Sequence, residues 1–123
     1  MTEDQGGVVV VLGAAGAVGR SLAGALADAG DLTLRLVDIQ DAEIASLARP
    51  GVEVMVADVF DPAETEKVLD GATLLVNCLS LVFFDRVFDL AVAHGIDYAD
   101  LISEPTPEQE AAAKAAGITA VPG

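Results

Sequence analysis

A chain of 123 residues is long enough for one domain that buries about two-thirds of its unfolded surface, so neither disulfides nor metals are needed to hold it. Apolar residues make up 53%, which excludes a disordered chain, and the absence of Trp leaves the core to Val, Leu, Ile and Ala. A formal charge of −14 argues against nucleic acid and anionic membrane as partners, and one cysteine, Cys78, excludes an internal disulfide framework.

The acids read as a solvated surface that aids solubility; with only two lysines, Lys67 and Lys114, a high-salt or engineered background is the alternative. The opening "MTEDQGG" is acidic and glycine-rich, unlike a secretory leader, and no apolar run nears the ~20 residues of a membrane span. Together with the lone thiol, this makes a cytoplasmic protein the expectation. Residues 1–7 are expected to be a flexible N-terminus, with one domain over 8–123.

Short apolar runs alternate with helical stretches from end to end. Val8 to Leu12 is a continuous β-branched run, as in a buried central strand of a parallel sheet. Val18, Leu22, Ala25, Leu26 and Ala29 then recur at helical spacing up to Gly30. Thr33 to Val37 is a second strand ending at Asp38, Ala42 to Ala48 a short helix closed by Pro50-Gly51, and Val52 to Ala57 a third strand. "DPAE" supplies Asp61 as N-cap, Pro62 in the first turn and Glu64 as the partner of a capping box, for a helix that stops at Gly71. Thr73 to Cys78 is a fourth strand, Val82 to His94 a helix, and Ile96 to Ala99 a fifth strand. "TPEQ" repeats the capping pattern with Thr106, Pro107 and Gln109, opening a helix to Gly117, before a sixth strand from Ile118 to Val121. Six strands alternating with five helices predict an α/β fold: a doubly wound parallel sheet in the order 3-2-1-4-5-6, helices on both faces.

In such a sheet ligands bind beyond the carboxyl ends of the strands, where the order reverses beside the first. "GAAGAVG", residues 13–19, sits there. Gly13 is expected to permit the tight turn, Gly16 to let backbone approach a pyrophosphate, and Gly19 to let the helix pack closely on the sheet. Free amides and the positive end of the helix dipole then hold phosphates without any lysine. Glycine triplets alone are a weak signal, but this one follows a strand, opens a helix and is answered by Asp38 at the end of strand two. An acid there accepts hydrogen bonds from the adenosine ribose and meets a 2′-phosphate as like charge. Ile39, Gln40 and Asp41 offer no arginine to compensate, so NAD is expected ahead of NADP.

The stretches "VLGAAGAVGRSLAGAL", "VADVFDPAETEKVLDGATLLVNCLS", "DRVFDLAVAHGIDYADL" and "AAGITAVPG" resemble the N-terminal Rossmann domain of saccharopine dehydrogenase-like oxidoreductases, over nearly the whole chain. The resemblance implies a dinucleotide cofactor held by Gly13, Ala15, Gly16, Ala17, Val18, Gly19, Asp38 and Ile39. It also implies Asp58 near the adenine, and Asn77, Cys78 and Leu79 beside the nicotinamide half. Ser80-Leu81 departs from the family pattern, where a proline is common. Family members continue past the point where this chain has Pro122-Gly123, so a fragment without the substrate domain is expected, inactive on its own. A dinucleotide-sensing module and a stability-optimised scaffold without ligand are the alternatives.

Cys78 and His94 lack the companions of a metal site, so no metal is expected. Cys78 reads as a small core residue rather than a nucleophile, and His94 as a complement to its helix dipole. Tyr98 has Ile102 where a short-chain dehydrogenase would place a lysine, so no catalytic residue is assigned. Arg20 is either a phosphate contact or a surface residue, and Arg35 is expected to reach an acid at the sheet surface. Leu81 to Phe84 is either core or a face once covered by another domain, through which self-association would follow.

Overall fold

The computed structural model describes residues 7–30, 32–40, 44–121 and 123. Its elements run in chain order: β1 (Val8–Leu12), α1 (Ala17–Ala29), β2 (Thr33–Asp38), β3 (Val52–Val56), α2 (Pro62–Leu69), β4 (Ala72–Asn77), α3 (Phe84–His94), β5 (Asp97–Ala99), α4 (Pro107–Ala116) and β6 (Ala120–Val121). All neighbouring pairs are parallel, and the strand order is β3-β2-β1-β4-β5-β6, the doubly wound order. The order reverses beside β1, between β2 and β4, and that is where the glycine turn stands.

Alternation along β1 divides the core. Val10 and Leu12 face one layer with Val68 and Leu69 of α2, Val87, Phe88 and Ala91 of α3, and Ala113 of α4. Val9 and Val11 face the other layer with Ala23 of α1, Leu34, Leu36 and Ile44. A strand covered on both faces must be apolar at every position, which is why β1 reads as an unbroken run.

Several expectations differ in detail, and the N-terminal tail falls almost wholly outside the described residues. The helix expected over Ala42 to Ala48 is a 3₁₀ turn at Ala45–Leu47, with residues 42 and 43 outside the described set. The expected start of α3 is likewise a 3₁₀ turn, Leu81–Phe83, ahead of the α-helix. Of the expected N-terminal tail, residues 1–6 lie outside the described set, and Gly7 is half-buried against Thr73. The Thr106–Gln109 capping box forms in both directions, at 3.1 Å and 2.8 Å. At α2 only half of the pattern forms. Asp61 accepts from the Ala63 amide at 2.9 Å, but Glu64 reaches past the cap to the Asp58 amide at 2.7 Å. The Asp61 amide is already occupied by the Asp58 carbonyl, so Glu64 takes the next free donor.

Arg35 lies inside β2 and is buried. It does reach an acid, donating from Nε to Glu53 at 2.9 Å. Its other end donates to the carbonyls of Val68 and Asp70, both at 2.8 Å, where α2 runs out of internal partners. The strand thus caps the helix packed on it. Among the described residues no helix is long and apolar enough to cross a membrane.

Candidate functional site

The turn from β1 to α1 is set by backbone bonds. The amides of Gly13 and Ala14 both donate to the Val37 carbonyl of β2, at 3.0 and 3.2 Å, and the Cys78 amide donates to the Leu12 carbonyl from β4 at 3.0 Å. Gly13 has φ +76°, which L side chains resist, and a Cβ there would stand 3.0 Å from the Cys78 backbone. A Cβ on Gly19 would collide with the Gly13 carbonyl oxygen. The close approach made by Gly19 is therefore to the turn itself, rather than to the sheet as expected.

Gly16 differs from both. Its φ of −72° suits any residue, and a Cβ would meet only the Gly13 oxygen at 3.4 Å, an ordinary contact. Gly16 is the N-cap of α1 and supplies no side-chain hydrogen bond, whereas Asp61 caps α2 and Thr106 caps α4. The first-turn amides of α1, from Ala17, Val18 and Gly19, precede the bond that Arg20 donates to the Gly16 carbonyl, so they have no intrahelical acceptor and carry the positive end of the helix dipole.

Asp38 faces this turn. One carboxylate oxygen accepts from the Ala15 amide at 2.9 Å and the other from the Gln40 amide at 3.1 Å. Each oxygen keeps a second lone-pair site for another donor.

Two hollows flank the line of Gly13, Asp38 and Leu79, and share those three residues. The smaller, about 250 Å³, is also lined by Ala15, Gly16, Gln40, Cys78 and Ser80. The larger, about 430 Å³, runs from Gly13, Asp38, Ile39 and Asp58 to Phe60, Phe83 and Arg86. Of the residues singled out in the sequence, Gly13, Ala15, Gly16, Asp38, Ile39, Asp58, Cys78 and Leu79 come together on these two hollows. Ala17 and Val18 are exposed at the mouth of α1, and Gly19 is buried beneath them.

Asn77 lines neither hollow. It is buried, donates to the Tyr98 hydroxyl at 3.0 Å and accepts from the Leu79 amide at 3.0 Å. Tyr98 in turn donates to Asp100 at 2.5 Å. Burial first, then the bond to Asp100, pushes the Tyr98 phenol far above its ordinary range. Burial works to raise the Asp100 carboxyl as well, but hydrogen bonds from Ser103, Tyr98 and Gly123 outweigh it and leave the pKa lowered. Burial and the charge of Asp100 raise the Cys78 thiol, which suits a packed thiol better than a nucleophile. His94 ends α3, with Nδ1 2.9 Å from the Leu90 carbonyl and Nε2 3.7 Å from Glu66.

Phe60 and Arg86 escaped the sequence reading, and Phe83 entered it only as part of the apolar run Leu81 to Phe84. Phe60 follows β3, Phe83 and Arg86 belong to the start of α3, and no motif spacing joins them. Phe60 and Phe83 stack with centroids 5.5 Å apart, and the Arg86 guanidinium carbon lies 3.9 Å from the Phe60 centroid. The run Leu81 to Phe84 divides: Leu81 and Val82 are exposed, Phe83 lines the larger hollow, and Phe84 is core.

A doubly wound parallel sheet whose glycine turn meets an acid from β2 at the switch point is a Rossmann-fold domain. The chain belongs to the family described as the saccharopine dehydrogenase NADP binding domain, which matches residues 9–121. Among solved structures, saccharopine dehydrogenase (L-Glu forming) from Saccharomyces cerevisiae superposes with a TM-score of 0.79 at 24% identity, covering 95% of this chain and 27% of that one. The WlbA dehydrogenase from Chromobacterium violaceum, solved with NADH and UDP-GlcNAcA, gives 0.71 at 17% identity, covering 98% of this chain and 36% of that one. GenD2 from gentamicin A biosynthesis, solved with NAD, gives 0.68 at 21%, covering 94% and 34%. These likenesses are of fold, and the chain spans about a quarter to a third of each structure's length. No curated protein matches the sequence.

Proposed function

We propose that this domain binds a nicotinamide dinucleotide, NAD ahead of NADP, and serves as the cofactor half of an oxidoreductase. The observation that carries this reading is Gly16, since the fold needs no glycine there and an approaching ligand does. In this reading the pyrophosphate lies over Gly16, held by the amides of Ala17, Val18 and Gly19, while the Ala15 amide stays on Asp38. Gly13 and Gly19 keep the turn close enough to present those amides. Asp38 accepts hydrogen bonds from the adenosine ribose through its remaining lone pairs, while Ile39 and Asp58 flank the adenine. Cys78 and Leu79 adjoin the nicotinamide half, and Asn77 positions the Leu79 amide from behind.

When bound, the dinucleotide supplies hydride transfer; the chain's own residues bind and orient it. The family description names NADP. Asp38 argues for NAD in this member, because a 2′-phosphate would meet a carboxylate already fixed by two amides. Gln40 and Ile39 bring no cation, and Asp41 lies outside the described residues. Calorimetric titration of the chain with NAD, NADP and their reduced forms tests the reading. Binding of NAD at least tenfold tighter than NADP is expected; equal or tighter NADP binding defeats the role given to Asp38.

Leu81, Val82, Leu101 and Ile102 are all more than half exposed, and Leu81 and Ile102 line a common hollow beyond β4 and β5. This supports self-association through that end of the sheet. Sedimentation showing only monomer at millimolar concentration would overturn it.

A further inference from the structure

Arg86 has no place in the strand–turn–helix signature, yet it faces the same hollow as Asp38 and Asp58. With Phe60 it forms the wall between that hollow and a groove of about 450 Å³ lined also by Glu66, Asp89 and His94. Among the described residues no carboxylate lies within ion-pair distance of its guanidinium, which rests on the Phe60 ring instead. In a chain of net charge −14, such an arginine is a cation placed by shape.

We propose that Arg86 closes over the adenine of the bound dinucleotide, its planar guanidinium stacked on the base. The inference rests on the dinucleotide reading above. The smaller hollow contains the glycine turn and takes the pyrophosphate; Asp38, shared by both hollows, takes the ribose. The base then lies on the far side of Asp38, in the larger hollow. Ile39, Val59, Phe60 and Phe83 make that hollow apolar enough for a flat heteroaromatic ring. Among the described residues Arg86 is the one cation lining it, and a guanidinium already lying on an aromatic face meets a second π surface without leaving the wall. A lysine would carry the charge without the plane. Arg86 is thus a positioning residue for the base, supplied by a helix outside the nucleotide signature.

The test is calorimetric titration of the 123-residue chain and its Arg86→Ala and Arg86→Lys variants with NAD, ADP-ribose and nicotinamide mononucleotide. Arg86→Ala should lose about tenfold in affinity for NAD and ADP-ribose, with a native circular dichroism spectrum and no change toward the mononucleotide, which has no adenine. Arg86→Lys should recover less than half of the logarithmic loss, and the loss should persist from 0.1 to 1 M salt. Equal NAD affinity in wild type and Arg86→Ala overturns the proposal, as does full recovery by lysine or a loss that vanishes at high salt. A wild-type chain that binds none of the three ligands instead brings down the dinucleotide reading, and this proposal with it.

Discussion

The carboxylate of Asp38 accepts the Ala15 amide at 2.9 Å, tying the end of β2 to the turn that follows β1. The same side chain is therefore a strut for the glycine turn and the acid offered to the ribose. Asp38→Ala should lower NAD affinity by about ten- to a hundredfold, the scale of hydrogen bonds to a charged acceptor. It should also narrow the margin between NAD and NADP, because the like charge is gone. Asp38→Asn should narrow the margin similarly while keeping more of the fold's stability. Titration of both variants with both cofactors checks this.

The glycines should separate by role. Gly16→Val is expected to abolish dinucleotide binding while leaving circular dichroism native, since its Cβ has room in the free protein. Gly19→Ala should instead destabilise the fold by about 1–3 kcal/mol, through collision with the turn. Unchanged affinity in a folded Gly16→Val protein would show that the pyrophosphate lies elsewhere.

Arg35→Met would keep bulk in β2 but leave the α2 carbonyls and Glu53 without their donor. About 2–4 kcal/mol of stability should be lost, because buried acceptors are stranded. The urea midpoint should fall with an unchanged slope. A midpoint within error of wild type would mean that water replaces the guanidinium.

The Tyr98–Asp100 pair sets limits at both ends of the pH scale. Asp100 has its pKa lowered in the fold, so its contribution is present above the unfolded value of about 3.9 and fades as pH falls below it. Tyr98 has its pKa raised, so its contribution is present below the unfolded value of about 10 and fades as pH rises above it. Asp100→Asn should flatten the acid limb of stability and Tyr98→Phe the alkaline limb, each with lower stability at pH 7. Urea midpoints across pH 3–11 provide the readout.

Salt should stabilise the free domain. Raising ionic strength from 0.1 to 1 M shortens the Debye length from ~10 Å to ~3 Å, screening the excess of carboxylates. A higher melting temperature in 1 M NaCl is expected. A flat or falling value would mean that local pairing already offsets the acids.

Much of the architecture was legible because it is written at short range. The unbroken run of β1, Gly13 at a left-handed turn and the Thr106–Gln109 box each depend on neighbours within a few residues. Asp38 could be paired with the glycine turn because the doubly wound order brings the ends of β1 and β2 together. The boundaries were less legible. One expected helix is a 3₁₀ turn at Ala45–Leu47 and the start of another, Leu81–Phe83, is a second, where chain entry angles set by packing override spacing.

By itself the sequence determined the element order, the sheet class and the glycine–acid core of the site, since local torsion preferences, unbroken apolar runs and helical spacing encode them. Only the tertiary structure decided that Arg35 caps α2, that Glu64 serves Asp58 rather than Asp61, and that Asn77 belongs to the Tyr98 network. It alone brought Phe60, Phe83 and Arg86 to the wall of the larger hollow. These are contacts between side chains from different elements, and a side chain's partner depends on which surfaces the packed layers bring face to face.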